Sequence, residues 1–138
     1  MIKDIVKDPL LLGRKSVDAT PEDEPIIRDL LDTLISYEHL NCVGIAANMI
    51  GIHKRIIAMN YDGLLLSMIN PVIIGHSKET YMSTEGCLCL EGRRSVKRWR
   101  KIKVSYLDRY FRKRIRSFEG NAAAIIQHEI DHCNGIIV

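Results

Sequence analysis

His128-Glu129-Ile130-Asp131-His132, preceded by Ala122-Ala123-Ala124-Ile125-Ile126-Gln127 and followed by Cys133, is the stretch from which the rest of the chain is read. Alanine and isoleucine fill it, Gly120-Asn121 opens it and Asn134-Gly135 closes it, so it reads as a helix with a C-terminal cap. Residues four apart on a helix share a face, so both imidazoles can reach one ion at about 2.0 to 2.1 Å from each nitrogen. Glu129 follows the first histidine directly, where a carboxylate can take a proton from water on that ion. A solvated helix with two incidental histidines would give the same letters. By composition, though, this arrangement arises by chance in fewer than roughly one such chain in a hundred.

Two imidazoles leave an ion under-coordinated, and a catalytic tetrahedron needs a third protein ligand and one open position. Cys87 in Glu85-Gly86-Cys87-Leu88-Cys89 is the best candidate, because Gly86 lets backbone approach closely and a thiolate suits Fe(II), Zn(II) or Co(II). Cys89 is its rival, since on extended backbone both sulfurs point the same way. A purely structural site would leave Glu129 without a task. A third stretch, Asn41 to Gly51, is rich in small residues that let backbone pass near a ligand or a sheet.

The 138 residues, 46% of them hydrophobic, suit a single domain over 1–138. The formal charge of +3 conceals a cationic stretch from Arg93 to Arg116. No nucleic-acid motif accompanies it, so it reads as a solvated strand face and direct nucleic-acid binding is not expected. Lys3, Asp4, Lys7 and Asp8 interrupt every apolar run near the start, and no window approaches a membrane span, so a cytoplasmic location is expected. Cys42, Cys87, Cys89 and Cys133 form no CxxC pair and read as ligands or buried thiols.

Residues 1 to 20 read as an irregular arm. Thr20 and Asp23 are placed as a capping box, and Ile27, Leu30, Leu31, Leu34 and Ile35 give one apolar face to a helix reaching about Leu40. Mostly antiparallel strands are expected at Arg55 to Asn60, Leu64 to Ile74, Glu79 to Ser83, Ile102 to Leu107 and Arg112 to Phe118. His39, His53 and His76 lie outside any ligand spacing.

Taken in order, three stretches resemble the signature motifs of the peptide deformylase family, along nearly the whole chain. The pattern GφGφAAxQ, with φ apolar, is met by Cys42 to Met49, EGCφS by Glu85 to Cys89, and QHExDH by Gln127 to His132. Ile69-Asn70-Pro71 and Arg94, seven residues past the metal cysteine, are also similar. The resemblance implies an α+β fold, with antiparallel sheets around the HExxH helix and no long C-terminal helix. It implies removal of formate from N-formylmethionyl peptides or nascent protein N-termini, with Fe(2+) as the expected ion and Zn(2+), Ni(2+) or Co(2+) as substitutes. Cys87, His128 and His132 would hold the ion, Glu129 would shuttle a proton to the leaving amine, and the Leu88 N–H would steady the oxyanion. Gly44, Ile45, Met49, Gly86 and Arg94 would contact or line the substrate.

Departures accompany the likeness. Met49 stands where the family has a glutamine whose amide also serves the oxyanion, and losing one such donor typically raises a barrier by about 2.7 to 4 kcal/mol. Asn48, next door, is the residue whose amide could replace it. Cys89 replaces the usual serine and Cys42 the first glycine. The alternative readings are a deformylase-like paralogue with little activity, or a hydrolase of another N-acyl amide. Glu85 and Asp131 are candidates for orienting the imidazoles.

Overall fold

The chain's last helix forms the centre of the molecule. The computed structural model describes residues 1–138. In chain order its elements are α1 (Pro9–Leu12), α2 (Glu24–Ser36), β1 (Gly44–Ala46), β2 (Ile56–Tyr61), β3 (Leu64–His76), β4 (Thr80–Cys87), β5 (Leu90–Trp99), β6 (Lys101–Leu107), β7 (Lys113–Glu119) and α3 (Gly120–Cys133). Nine of the 14 residues of α3 are buried, so its polar side chains must find partners inside the protein. Ala123, Ile126, Ile130 and Cys133 recur at three- and four-residue steps and join the hydrophobic core. Ile126, 1% exposed, alone contributes about 1.5 to 3 kcal/mol by leaving water.

Five strands form one antiparallel sheet in the order β1-β2-β3-β6-β7, and β4 and β5 form a second, two-stranded sheet. The β2–β3 hairpin turns through Asp62 and Gly63, both at positive φ, as a two-residue turn matching the right-handed twist of its strands requires. The register between β3 and β6 slips between Ile69 and Val72, where Pro71 has no N–H to offer. The Asn70 amide uses that irregularity: it accepts from Ala19 N at 2.8 Å and donates to Ala19 O at 3.1 Å, pinning the N-terminal arm. Ser16 N donates to Cys133 O at 2.8 Å, fixing the arm to the end of α3 as well.

The expected α+β class, with antiparallel sheets about the HExxH helix, is what the structure has, and only five non-helical residues follow α3. Two boundaries shift and three elements are added. One turn of helix, α1, interrupts the arm, with the Asp8 side chain accepting from Leu10 N. The second helix ends at Ser36 rather than Leu40, because the chain tightens into a 3-10 turn and Asn41 adopts a left-handed conformation. β4 runs on to Cys87, and β1 and β5 are additional strands. β5 escapes a hydrophobic pattern because its inward positions are Arg94, Val96 and Arg98. No helix is long and apolar enough to cross a membrane.

Candidate metal centre

The end of β4 and one face of α3 meet at three side chains. Cys87 Sγ lies 3.3 Å from His132 Nε2, which lies 3.3 Å from His128 Nε2, and the three donor atoms fall within 4.8 Å of one another. Two nitrogens bound to one ion at about 2.0 to 2.1 Å in a tetrahedron stand about 3.3 to 3.4 Å apart, so the rings are spaced for a shared ion. A thiolate with two imidazoles is a donor set for a divalent transition metal. Cys89, buried, brings its sulfur to 3.0 Å from that of Cys87, and the donor atoms that fall together are those of Cys87, His128 and His132.

A chain of charged groups holds His128 in place. His128 Nδ1 meets Glu85 Oε1 at 2.8 Å, leaving Nε2 for the ion. Glu85 is gripped by Arg98, with Nη2 to Oε1 at 2.7 Å and Nε to Oε2 at 3.0 Å, and Arg98 Nη1 reaches Asp131 Oδ2 at 2.6 Å. Asp131 therefore acts through Arg98 and not on a ring. Burial opposes ionisation of Glu85, yet the bonds from His128 and Arg98 outweigh it and hold the carboxyl at about 2. Burial likewise pulls His128 down, and bonds to Cys87 and Glu85 lift it to about 10. The neighbouring Cys89 sulfur, then burial, push the Cys87 thiol up to about 11. Arg98, only 5% exposed, is the residue that sequence reasoning missed, because in a run of arginines and lysines nothing distinguishes an inward side chain except its parity along β5.

Gln127 fastens the same strand to the helix. Its Oε1 accepts from Trp99 N at 3.0 Å, and its Nε2 donates to Trp99 O at 2.9 Å.

Glu129 is 4% exposed, its Oε1 has no hydrogen-bond partner in the protein, and burial pushes its carboxyl up to about 7. Such a group can both accept and return a proton near neutrality. Gly44 on β1 is what admits it: a Cβ there would stand 2.6 Å from Glu129 Oε2. Beside it opens a cavity of about 560 Å³, walled by Val43, Gly44, Gly86, Leu88, Ile125 and Glu129 among others.

Of the expected substrate contacts, Gly44 and Gly86 line this cavity, as does Leu88, the expected oxyanion donor, and Ile45, Met49 and Arg94 do not. Ile45 and Met49 lie in the core, at 0% and 1% exposure, and Met49 Sδ accepts from Ala46 N at 3.4 Å. Arg94 pairs across the hairpin with Glu85, while its neighbour Arg93 pairs with Gly86 and takes the cavity wall, because a one-residue step reverses a side chain's face. Asn48 does not supply the missing amide: its Nδ2 donates to His132 O at 2.9 Å, at the far end of α3.

Comparison with known proteins gives a single answer. The family model described as polypeptide deformylase matches residues 2–138. A peptide deformylase of Clostridium beijerinckii is 52% identical over 139 aligned positions, covering 100% of both chains. The crystal structure of a peptide deformylase from Thermotoga maritima superposes with a TM-score of 0.87 at 30% identity, covering 99% of this chain and 95% of its own. A class I type b peptide deformylase from Acinetobacter baumannii with Met-Ala-Ser bound gives 0.87 at 30% identity, covering 99% and 97%.

Proposed function

The chain belongs to the polypeptide deformylase family, and from that premise we propose that Cys87, His128 and His132 hold the metal ion on which its hydrolysis depends. As a member it is a hydrolase that removes the formyl group from N-formylmethionyl peptides. Identity of 52% over the full length favours this over another N-acyl amide. The observation that carries the assignment is the convergence of one sulfur and two Nε2 atoms within 4.8 Å. Fe(2+) is the proposed resident ion, with Zn(2+), Ni(2+) and Co(2+) able to replace it. When bound, the ion supplies Lewis acidity.

The protein's own groups do the rest. Glu129 takes a proton from the attacking water and delivers it to the amine nitrogen as the C–N bond breaks, a task matched by its carboxyl near 7. The Leu88 N–H donates to the oxygen that gains charge, and with Met49 unable to donate it is the oxyanion donor remaining from the motifs. Glu85 and Arg98 keep the His128 ring from turning. A peptide would lie along the unpaired edge of β1 as an added strand, its methionine side chain against Val43 and Ile125. The solved relative with Met-Ala-Ser bound supports such a ligand. Nascent N-termini in the cytoplasm are the proposed substrates.

The test is formate release from formyl-Met-Ala-Ser by protein purified without oxygen. Glu129→Ala should abolish turnover while elemental analysis still finds one ion per chain. Turnover that survives in Glu129→Ala, or absence of stoichiometric metal in the parent, would refute the assignment.

A further inference from the structure

Charge is sorted along this chain, and the fold keeps it sorted. Twelve of the 20 Lys and Arg lie between Arg93 and Arg116 with Asp108 as the one acid among them, while the rest of the chain has eight cations and 16 acids. Some of the twelve are occupied: Arg98 is inside, Arg100 pairs with Glu79, and Arg112 and Arg114 share Asp108 at the β6–β7 turn. Lys101, Lys103, Arg109, Lys113 and Arg116 are exposed, and none forms an ion pair. Register sets Lys103 opposite Ser117 and Lys113 opposite Leu107, so Lys101, Lys103 and Lys113 share one face of the hairpin. Arg114 and Arg116 stand on the other face of β7, the unpaired last strand of its sheet.

One or two charges would be enough to keep an open edge from pairing with another chain. Glu119 stands opposite Lys101 across the ladder, which leaves Lys103 and Lys113 on one face, Arg116 on the other and Arg109 at the tip with no acid opposite, and this band of charge around the hairpin calls for an anionic partner. An aromatic side chain narrows the choice. At the hairpin tip Tyr110 is 68% exposed, with the Arg109 and Arg112 guanidinium carbons 5.7 and 5.1 Å from its ring centre. An exposed ring flanked by guanidinium groups is a stacking platform for an unpaired base, and arginine forks take phosphate in two-point contacts. Anionic lipid would need only the charge, and an acidic peptide would leave the ring unused.

We propose that the β6–β7 hairpin, with Tyr110 at its tip, binds single-stranded RNA. The stretch that reads as a solvated strand face in the sequence then has a partner. None of these residues lines the catalytic cavity, so RNA and peptide can be held together. The proposal stands or falls separately from the deformylase assignment.

The experiment is fluorescence anisotropy of a labelled, mixed-sequence RNA of about 20 nucleotides titrated with metal-loaded full-length protein. With roughly four phosphates neutralised at a slope of about −0.7 each, affinity should fall about fiftyfold between about 50 and 200 mM salt. The triple variant Lys103→Glu, Lys113→Glu, Arg116→Glu should lose at least about tenfold in affinity with formate release unchanged, and Tyr110→Ala should lose about fivefold or more with the salt slope retained. RNA binding unaffected by charge reversal would overturn the proposal, as would anionic vesicles or polyglutamate bound as tightly as RNA.

Discussion

A methyl group added at Gly44 would separate catalysis from folding in this protein. Its carbon would stand 2.6 Å from Glu129 Oε2 and 2.9 Å from Ile125 Cγ2, where non-bonded atoms prefer about 3.5 to 4.0 Å. The carboxylate must therefore retreat by nearly an ångström. Folding can absorb this cheaply, because both obstacles are side-chain ends rather than backbone, and the cost belongs at the low end of the roughly 1 to 3 kcal/mol typical of overpacking. Catalysis cannot, since a 1 Å misplacement of a reacting group costs on the order of a hundredfold. Gly44→Ala should thus lower kcat about a hundredfold, keep one metal ion per chain, and lower Tm by only a few degrees. Steady-state formate release, elemental analysis and a thermal melt read the three quantities. A kcat within about threefold of the parent would refute the claim that β1 and Glu129 are fitted this closely, and loss of metal would refute the claim that the damage stops at the carboxylate.

Arg98→Met should destabilise the protein by about 3 kcal/mol or more in chemical denaturation, because Glu85 and Asp131 lose their shared cation. Arg98→Lys should recover little of it, since one ammonium cannot make the two-point contact with Glu85. Asn48→Ala should cost about 1 to 3 kcal/mol through the lost bond to His132 O and leave kcat within about threefold; a hundredfold loss of kcat would make it an oxyanion donor after all. In metal-free protein the Cys89 sulfur and burial push the Cys87 thiol up to about 11, so it carries a proton at neutral pH and must release it to bind an ion. Calorimetric titration with metal in buffers of different ionisation enthalpy should report at least about one proton released near pH 7, with affinity rising about tenfold or more per pH unit below that value. Release of clearly less than one proton would contradict a protonated Cys87 in the metal-free protein.

The sequence made the centre legible to the extent that its ligands obey local geometry. His128 and His132 are set by helical spacing, and Cys87 by the need for a third donor beside a glycine. The fold class was legible from alternating runs such as Ile102, Val104 and Tyr106, all buried as expected. β5 was not, because its one buried charge, Arg98, depends on Glu85 and Asp131, and partners so distant in the chain leave no local pattern. The short β1 was hidden for a related reason, since three residues are too few to show a period. Met49, Ile45 and Arg94 occupy positions of the family motifs, yet the exposure of each side chain depends on where β1, the 3-10 turn at Ala47–Ile50 and β5 settle against α3. A motif specifies neighbours along the chain, and the cavity wall is made of neighbours in space.

The sulfur on β4 and the second imidazole on α3 are 45 residues apart in sequence. An ion bound between them therefore closes a large loop, as a covalent cross-link would, and loop closure of that length removes several kcal/mol of freedom from the unfolded chain if the ion stays attached. By mass action the supply of the ion would then govern the lifetime of the whole molecule as well as its turnover, so that cells starved of metal would lose the protein itself and not merely its activity.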